Sequence, residues 1–219
     1  MTPVNSSRST DALIDYYVSQ LRPTSTWAMP RRLAAGVGVG GIISAILLIT
    51  LIGARPNLAE VAASGSFWGK VAFILATAVA SLFVAARLGR PGTPKSLLWI
   101  LPVPFLAYLP VAAWELARTD PAQWAPLLLG HGWKQCTWLV LILSLPVFVG
   151  LWWSFRKFAP THIEAAGAVA GLSASAVAGL IYCIHCPTDT AVFALVWYTL
   201  AFALASLTGA IFGRRLLRW

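Results

Sequence analysis

The chain has 219 residues, of which 58% are hydrophobic and only 11% are charged. A soluble domain needs roughly 25% charged residues to cover its surface, so the composition excludes an ordinary soluble protein and predicts a polytopic membrane protein. The net charge of +9 does not indicate direct nucleic-acid binding, because the basic residues stand in ones to threes at the ends of apolar segments rather than in one patch.

Residues 1–32 precede the first apolar run and are predicted to form a separate N-terminal segment. Residues 1–9 are expected to lack structure, Thr10 is a predicted N-cap, and a short helix follows over about 10–22 and ends before Pro23. An isolated helix of this length is marginal in water, so its apolar side must pack against something. The other side carries Asp11 and Asp15, which anionic lipid repels, and a protein partner is therefore favoured over the membrane surface. The apolar stripe consists of Leu13, Ile14, Tyr17, Val18 and Leu21.

Six apolar segments make up the rest of the chain, 33–219. Each has about 20 residues, enough to cross a hydrocarbon core of about 30 Å as a helix. A helix satisfies its own backbone hydrogen bonds in lipid, so the predicted fold is all-α with six transmembrane helices. The predicted spans are 33–53, 68–86, 97–117, 137–155, 164–184 and 191–212.

The distribution of lysine and arginine predicts the orientation of these helices. Short cytoplasmic loops carry an excess of basic residues, and here twelve lie on one set of ends and four on the other. Both termini are therefore expected in the cytoplasm. The four on the outer side are Arg55, Lys70, Arg118 and Lys134.

This orientation gathers all three cysteines at the outer ends of the helices. Cys136 begins the fourth segment, whereas Cys183 and Cys186 end the fifth with C-x-x-C spacing; His131 and His185 lie nearby. Three interpretations stand side by side. The thiols are a metal site with the two histidines, or a disulfide or redox sensor that joins Cys136 to Cys186, or simply small apolar core residues. Which metal would bind is unknown from the sequence.

Other motifs indicate packing rather than chemistry. Small residues recur every four positions, which lets helices approach closely in lipid. No ionisable residue lies at the middle of a predicted span, which disfavours an ion or solute transporter. No hydrolase motif and no cofactor-binding motif is present. The small residues at this spacing are Gly36, Gly40 and Ser44 in the first segment and Gly167, Gly171, Ser175 and Gly179 in the fifth.

Several of these stretches together resemble the NrsF-type anti-sigma factors, six-helix inner-membrane proteins of Gram-negative bacteria. The similarity covers nearly the whole chain, and its C-terminal motif is the most specific part. It rests on Leu13-Ile14-Asp15 through Leu21-Arg22-Pro23, on Cys136, on His185-Cys186-Pro187, on Val196-Trp197-Tyr198-Thr199-Leu200 and on Arg215-Leu216-Leu217-Arg218-Trp219.

The resemblance implies a regulator in the bacterial inner membrane that has no catalytic activity. The N-terminal segment would sequester an extracytoplasmic-function sigma factor, and a redox or metal signal at the outward thiols would release it. Cys136 and Cys186 match the two cysteine positions of the family, while Cys183 is an extra and, with His185 and His131, a possible accessory. The partner-binding residues would be Leu13, Ile14, Tyr17, Leu21 and Arg22.

Two other functions compete with this one. A membrane thiol oxidoreductase would use Cys183 and Cys186 as its redox pair with a quinone, but the chain has only three cysteines and lacks a second pair to relay electrons. A carrier of apolar molecules has little beyond the predicted fold in its favour.

Overall fold

A computed structural model describes residues 6–20, 27–90, 92–130, 132–156 and 162–216. These residues fold entirely into helices, turns and loops, and no strand occurs among them. The α-helices are α1 (Ser6–Gln20), α2 (Ala28–Leu47), α3 (Leu58–Val61), α4 (Gly65–Leu88), α5 (Val103–Arg118), α6 (Trp124–Leu129), α7 (Trp133–Phe155), α8 (Ile163–Tyr182), α9 (Ala191–Phe193) and α10 (Thr199–Leu216). Two π-helical turns, Leu48–Ile52 and Ala194–Tyr198, extend α2 and link α9 to α10, and 3₁₀ turns at Lys95–Ile100 and Pro121–Gln123 precede α5 and α6.

The prediction of an all-α chain with six long apolar helices is confirmed. Each of these six helical spans is long and apolar enough to cross a membrane. Each predicted span agrees with the observed one within about four residues. The agreement follows from the uninterrupted apolar runs, which leave little choice of helix position. The observed spans are Met29–Ile52, Gly65–Leu88, Lys95–Arg118, Gln135–Phe155, Ile163–Tyr182 and Ala191–Gly213.

The central helix of the bundle is α8. Of its apolar stretch, 72% is buried, compared with 17–44% in the other five spans. It packs against α4, α7 and α10, and α2 packs against α7 on the far side. The outward faces of these spans expose large apolar side chains such as Ile42, Leu145 and Leu207.

Glycines make the two closest helix contacts possible, as the four-residue spacing predicted. A β-carbon on Gly171 of α8 would overlap the carbonyl oxygen of Ala205 in α10, and one on Gly36 of α2 would overlap that of Gly150 in α7. The Ser44 hydroxyl donates a hydrogen bond to the Leu143 carbonyl across the α2–α7 contact (2.7 Å). These backbones are therefore held at a separation that a larger side chain cannot keep.

The first helix begins earlier than the sequence predicted. It begins at Ser6, so residues 6–9 are helical and Thr10 lies inside the helix rather than at its N-cap. No glycine or proline separates Ser6 from Thr10, so nothing in the sequence stops the helix from extending toward the N-terminus. Every side chain from Thr10 to Gln20 is exposed.

Candidate functional site: a buried thiol cluster at one end of the bundle

The C-terminal end of α8 places two cysteines in the core. After Tyr182 the chain makes one more helical turn, in which the backbone N–H of Cys183 donates to the Gly179 carbonyl (3.0 Å) and that of Cys186 to the Tyr182 carbonyl (2.9 Å). Residues three apart on such a turn share one face. Both thiols therefore point into the core, where Cys183 is 2% exposed and Cys186 is not exposed at all.

Cys136 reaches the same place from the first turn of α7. Its side chain is 1% exposed, and its thiol lies close enough to Cys186 and to Tyr182 to interact with both. Cys183 lies on the other side of the cluster, where its sulfur is 3.9 Å from the hydroxyl of Tyr198. All three cysteines are free thiols. The sequence prediction that they gather at one end of the helices is matched by this geometry, and the two that interact directly are Cys136 and Cys186.

A buried ion-pair network lies directly against the thiols. The Lys70 side chain has no solvent exposure, and its ammonium donates to Asp189 Oδ1 (2.5 Å) and to the Thr188 carbonyl (3.0 Å). The Arg55 guanidinium donates to Asp189 Oδ2 (2.8 Å) and to the Cys186 carbonyl (2.8 Å). Asp189 is itself only 16% exposed. A buried charge is tolerated when it is paired and fully hydrogen-bonded, and the pairing here fixes the loop after α8 onto α4.

The end of α2 is tied to the same loop. Its terminal π-helical turn closes at Gly53, whose carbonyl lies 2.8 Å from Nδ1 of His185. The backbone N–H of Arg55 donates to the Ile184 carbonyl (3.1 Å). The second π-helical turn, Ala194–Tyr198, carries the tyrosine that contacts Cys183. π-Helical turns interrupt the regular helix ladder and occur frequently at functional sites.

The electrostatic environment separates the two cysteines of the C-x-x-C pair. A hydrogen bond from the Cys136 thiol and the positive charge of Lys70 hold the pKa of Cys186 below its ordinary value, against the opposing effect of burial. Burial raises the pKa of Cys183 to about 12, although Lys70 acts in the other direction. Lys70 and Arg55 together carry two positive charges and Asp189 one negative charge, so a Cys186 thiolate would balance the cluster. The nucleophilic form of cysteine is the thiolate, and the environment favours that form more at Cys186 than at Cys183.

The geometry gives no support to a metal centre among the described residues. Within them, no group of three histidine, cysteine, aspartate or glutamate side chains is arranged to hold a metal ion. The ring of His185 is held by Gly53 instead. His131, the other predicted accessory ligand, lies outside the described residues.

Three of the predicted partner-binding residues lie on α1, which precedes the six long apolar helices in the chain. Leu13, Ile14 and Tyr17 are 56%, 53% and 61% exposed on α1, where no part of the helix bundle covers them. Leu21 and Arg22 lie outside the described residues.

Sequence reasoning missed the charged half of the site. It treated Arg55 and Lys70 only as orienting charges and gave Asp189 no role. The available signal was the position of Lys70, two residues inside a predicted apolar segment, because a lysine there requires a buried partner. Asp189, three residues after Cys186, is the acidic residue nearest to the thiols in the sequence.

The fold and the site define an all-α chain with six helices of membrane-spanning length and a buried thiol cluster at one end. The chain belongs to the NrsF family, described as "negative regulator of sigma F", whose sequence profile matches residues 18–219. Relatives include the probable anti-sigma-F factor NrsF of Azospira oryzae, which is 36% identical over 86% of this chain and 89% of its own length. Another is the anti-sigma-F factor NrsF of Caulobacter vibrioides, 34% identical over 96% of this chain and 99% of its own length. No solved structure matches this chain.

Proposed function

We propose that this chain is an integral protein of the bacterial inner membrane that binds an extracytoplasmic-function sigma factor and releases it on a redox or metal signal. The observation that carries this proposal is the family match over nearly the whole chain, with relatives named as anti-sigma-F factors. An anti-sigma factor needs a site for its partner, and a regulated one needs a second site for the signal.

Membrane insertion is supported by the surface of the helices. Their outward faces expose apolar side chains in number, which is stable in lipid and not in water. Exposed tryptophans such as Trp68, Trp99 and Trp138 lie near the ends of the spans, as in the aromatic belts of membrane proteins. The excess of basic residues at the end where α1 joins α2 supports cytoplasmic termini, and the thiols then face outward.

The partner site is the exposed apolar stripe of α1. Leu13, Ile14 and Tyr17 form a stripe that an apolar groove of a partner would cover, in the mode by which amphipathic helices bind grooves. The family profile begins at residue 18, so these three residues precede it.

The signal site is the Cys136–Cys186 pair. An oxidant that accepts two electrons would join the pair as a disulfide with loss of the one proton on Cys136, and would consume the thiolate that balances Lys70, Arg55 and Asp189. A metal bound by the thiolates would change the same charge balance. Either change alters the contacts of the first turn of α7, where Cys136 lies. α7 packs through Gly150 on α2, and α2 follows α1 in the chain. This chain of contacts is the path by which a change at the thiols would reach the partner site.

The enzyme alternative is not favoured by the site. In the supposed redox pair, the sulfur of Cys183 lies against the hydroxyl of Tyr198 (3.9 Å), and the chain has no second cysteine pair to relay electrons. Both relatives carry the names of regulators rather than enzymes.

Capture of a sigma factor by α1 tests the proposal directly. Full-length chain in detergent is mixed with the extracytoplasmic-function sigma factors of its own organism, and retention is measured. We expect Leu13→Asp to reduce retention at least tenfold, since a charge in a buried helix–groove contact is desolvated without a partner. Ser19→Asp is the matched control, because Ser19 is exposed on the opposite face of α1. Equal retention by both variants would contradict the assignment of the stripe.

A further inference from the structure

An apolar groove of about 510 Å³ runs along the outside of the bundle between α7 and α10. Leu145, Phe148 and Val149 of α7 face Phe212 of α10 across it. Gly171 of α8 also lines it, and because glycine has no side chain the groove reaches down to the α8–α10 contact. The volume lies within the range of roughly 300–1,000 Å³ that is typical of small-molecule sites.

The shape of the groove fits a long chain. Its lining extends from Trp138 to Trp152 on α7, and fourteen residues of helix span about 21 Å at 1.5 Å per residue. This is most of a hydrocarbon core of about 30 Å. The two hydroxyls in the lining are already satisfied: Ser144 donates to the Leu141 carbonyl (2.7 Å) and Thr208 to the Leu204 carbonyl (2.9 Å). The walls therefore favour an occupant that is apolar along most of its length, while the indole N–H of Trp152, buried without a hydrogen-bond partner among the described residues, lies at the end next to Arg156.

One end of the groove is positively charged. Arg156 caps the C-terminus of α7, and its guanidinium carbon lies 5.2 Å from the centre of the Trp152 ring in the groove wall. Arg215 lies one helical turn beyond Phe212 on α10 and is exposed. The salt bridges within the described residues are both made by Asp189 at the thiol end, so neither arginine is paired with a carboxylate of another described residue.

We propose that this groove binds one anionic phospholipid, with an acyl chain between α7 and α10 and its phosphate on Arg156 and Arg215. The site rests on the membrane insertion proposed above and lies at the end of the bundle assigned to the cytoplasm. Basic pockets between helices on that side of a membrane are suited to anionic head groups. The lipid would contact the C-terminal ends of both α7 and α10. These two helices make few direct contacts with each other, and each packs against α8.

Native mass spectrometry of the full-length chain tests this site. The protein is extracted from vesicles with equal amounts of phosphatidylglycerol and phosphatidylcholine, and the lipid retained per chain is measured. We expect one retained phosphatidylglycerol. Arg156→Gln should lower its retention roughly fivefold, whereas Arg118→Gln should not, although Arg118 lies over Trp114 in the same way at the end of α5.

A second pair of variants tests the groove itself. Thr208→Trp fills it and should abolish phosphatidylglycerol retention, while Leu207→Trp, on a neighbouring position that is 61% exposed and outside the lining, should leave retention unchanged. Equal retention of the two lipids by the unmodified chain would overturn the proposal. The proposal would also be overturned if the groove held a neutral compound or a second copy of the chain. Such an occupant would be displaced by Thr208→Trp and not by Arg156→Gln. The assay contains no sigma factor, so a chain that captures sigma factor but retains no anionic lipid contradicts this proposal alone.

Discussion

At the residue scale, Lys70 connects the charges of the site to its thiols. Taking an ammonium out of water is costly, and the cost is offset here by Asp189 and the Thr188 carbonyl. The same ammonium favours the thiolate of Cys186. A lysine at this depth therefore serves two purposes, because it anchors the loop after α8 and adds to the stabilisation of the thiolate form of the cysteine in that loop.

Removal of the Asp189 charge tests the anchor. Asp189→Asn leaves Lys70 buried without its counter-ion, and we expect the free energy of unfolding to fall by about 3–5 kcal/mol. Reversible unfolding in mixed micelles measures the change. Asp120→Asn is the control, because Asp120 is exposed and accepts only the backbone N–H of Ala122. The double change Lys70→Met with Asp189→Asn should regain part of the loss, and an Asp189→Asn protein as stable as Asp120→Asn would refute the anchor.

The thiolate of Cys186 gives a second test. Its pKa is lowered mainly by the Cys136 thiol and then by Lys70, so part of Cys186 should be ionised below pH 9.0, the ordinary thiol value. Because the folded-state pKa is depressed, the stability gained from this ionisation is complete above pH 9.0 and is lost as the pH falls through the folded-state value. The ultraviolet difference spectrum between the unmodified chain and Cys186→Ser, recorded against pH, reports the thiolate.

The matched variants in that titration are Cys136→Ala and Cys183→Ala. Cys136→Ala removes the donor to Cys186 and should titrate at higher pH, whereas Cys183→Ala should remain close to the unmodified chain. If Cys183→Ala moved the titration and Cys136→Ala did not, the interacting pair would be wrongly assigned.

The thiol cluster of the site could be predicted from the sequence, whereas the ion pairs beside it could not. Cys136 and Cys186 could be placed together because helix orientation alone puts both at the same end. The Lys70–Asp189 pair joins residues 119 positions apart, and only the packing of α4 against α8 brings them into contact. The same holds for Cys183, whose separate environment depends on Tyr198 from the π-helical turn before α10.

At the element scale, the bundle is built on two glycine-mediated contacts, α8 with α10 and α2 with α7. The first buries Gly167 and Gly171 against Gly209 and Ala205. Spacing in the sequence predicted which helices carry a close-packing face, since small residues recur every four positions in both. It did not predict the partner helices: the equivalent repeat of Ala201, Ala205, Gly209 and Gly213 in α10 was overlooked, and Gly150 of α7 stands in no such repeat.

A methyl group added to α8 tests the first contact. Gly171→Ala places a β-carbon against the Ala205 carbonyl, so the helices must separate, and we expect a loss of about 1–3 kcal/mol in the free energy of unfolding. Gly38→Ala is the control, since nothing lies within 4 Å of a β-carbon at that position of α2; it should be neutral or stabilising by up to about 1 kcal/mol. A Gly171→Ala protein as stable as Gly38→Ala would mean that α8 and α10 are not in backbone contact.

Helix position was predictable where the apolar runs are long and was not where local signals compete. All six spans agree within a few residues, because each run fills a membrane thickness. The start of α1 was predicted wrongly at Thr10, since a threonine favours an N-cap but the polar residues before it are equally able to continue a helix.

At the scale of the whole molecule, the thiols lie near the C-terminal end of α2, whereas α1 with its exposed stripe precedes the N-terminal end of α2 in the chain. The end of α2 is fixed to the thiol loop through Gly53 and Arg55, and its beginning leads back to α1. The proposed regulator therefore requires that a change in the charge or bonding of Cys186 alters the position of α7 or α2.

The measurement that tests this most directly is sigma-factor release from the full-length chain in vesicles after addition of diamide, which accepts two electrons and two protons from a thiol pair. We expect release from the unmodified chain and from Cys183→Ser, with retention by Cys136→Ser and by Cys186→Ser. Cadmium in place of diamide separates a metal signal from a redox signal in the same variants. Release by both agents that is unaffected in the Cys136→Ser and Cys186→Ser variants would contradict the assignment of these thiols as the sensor.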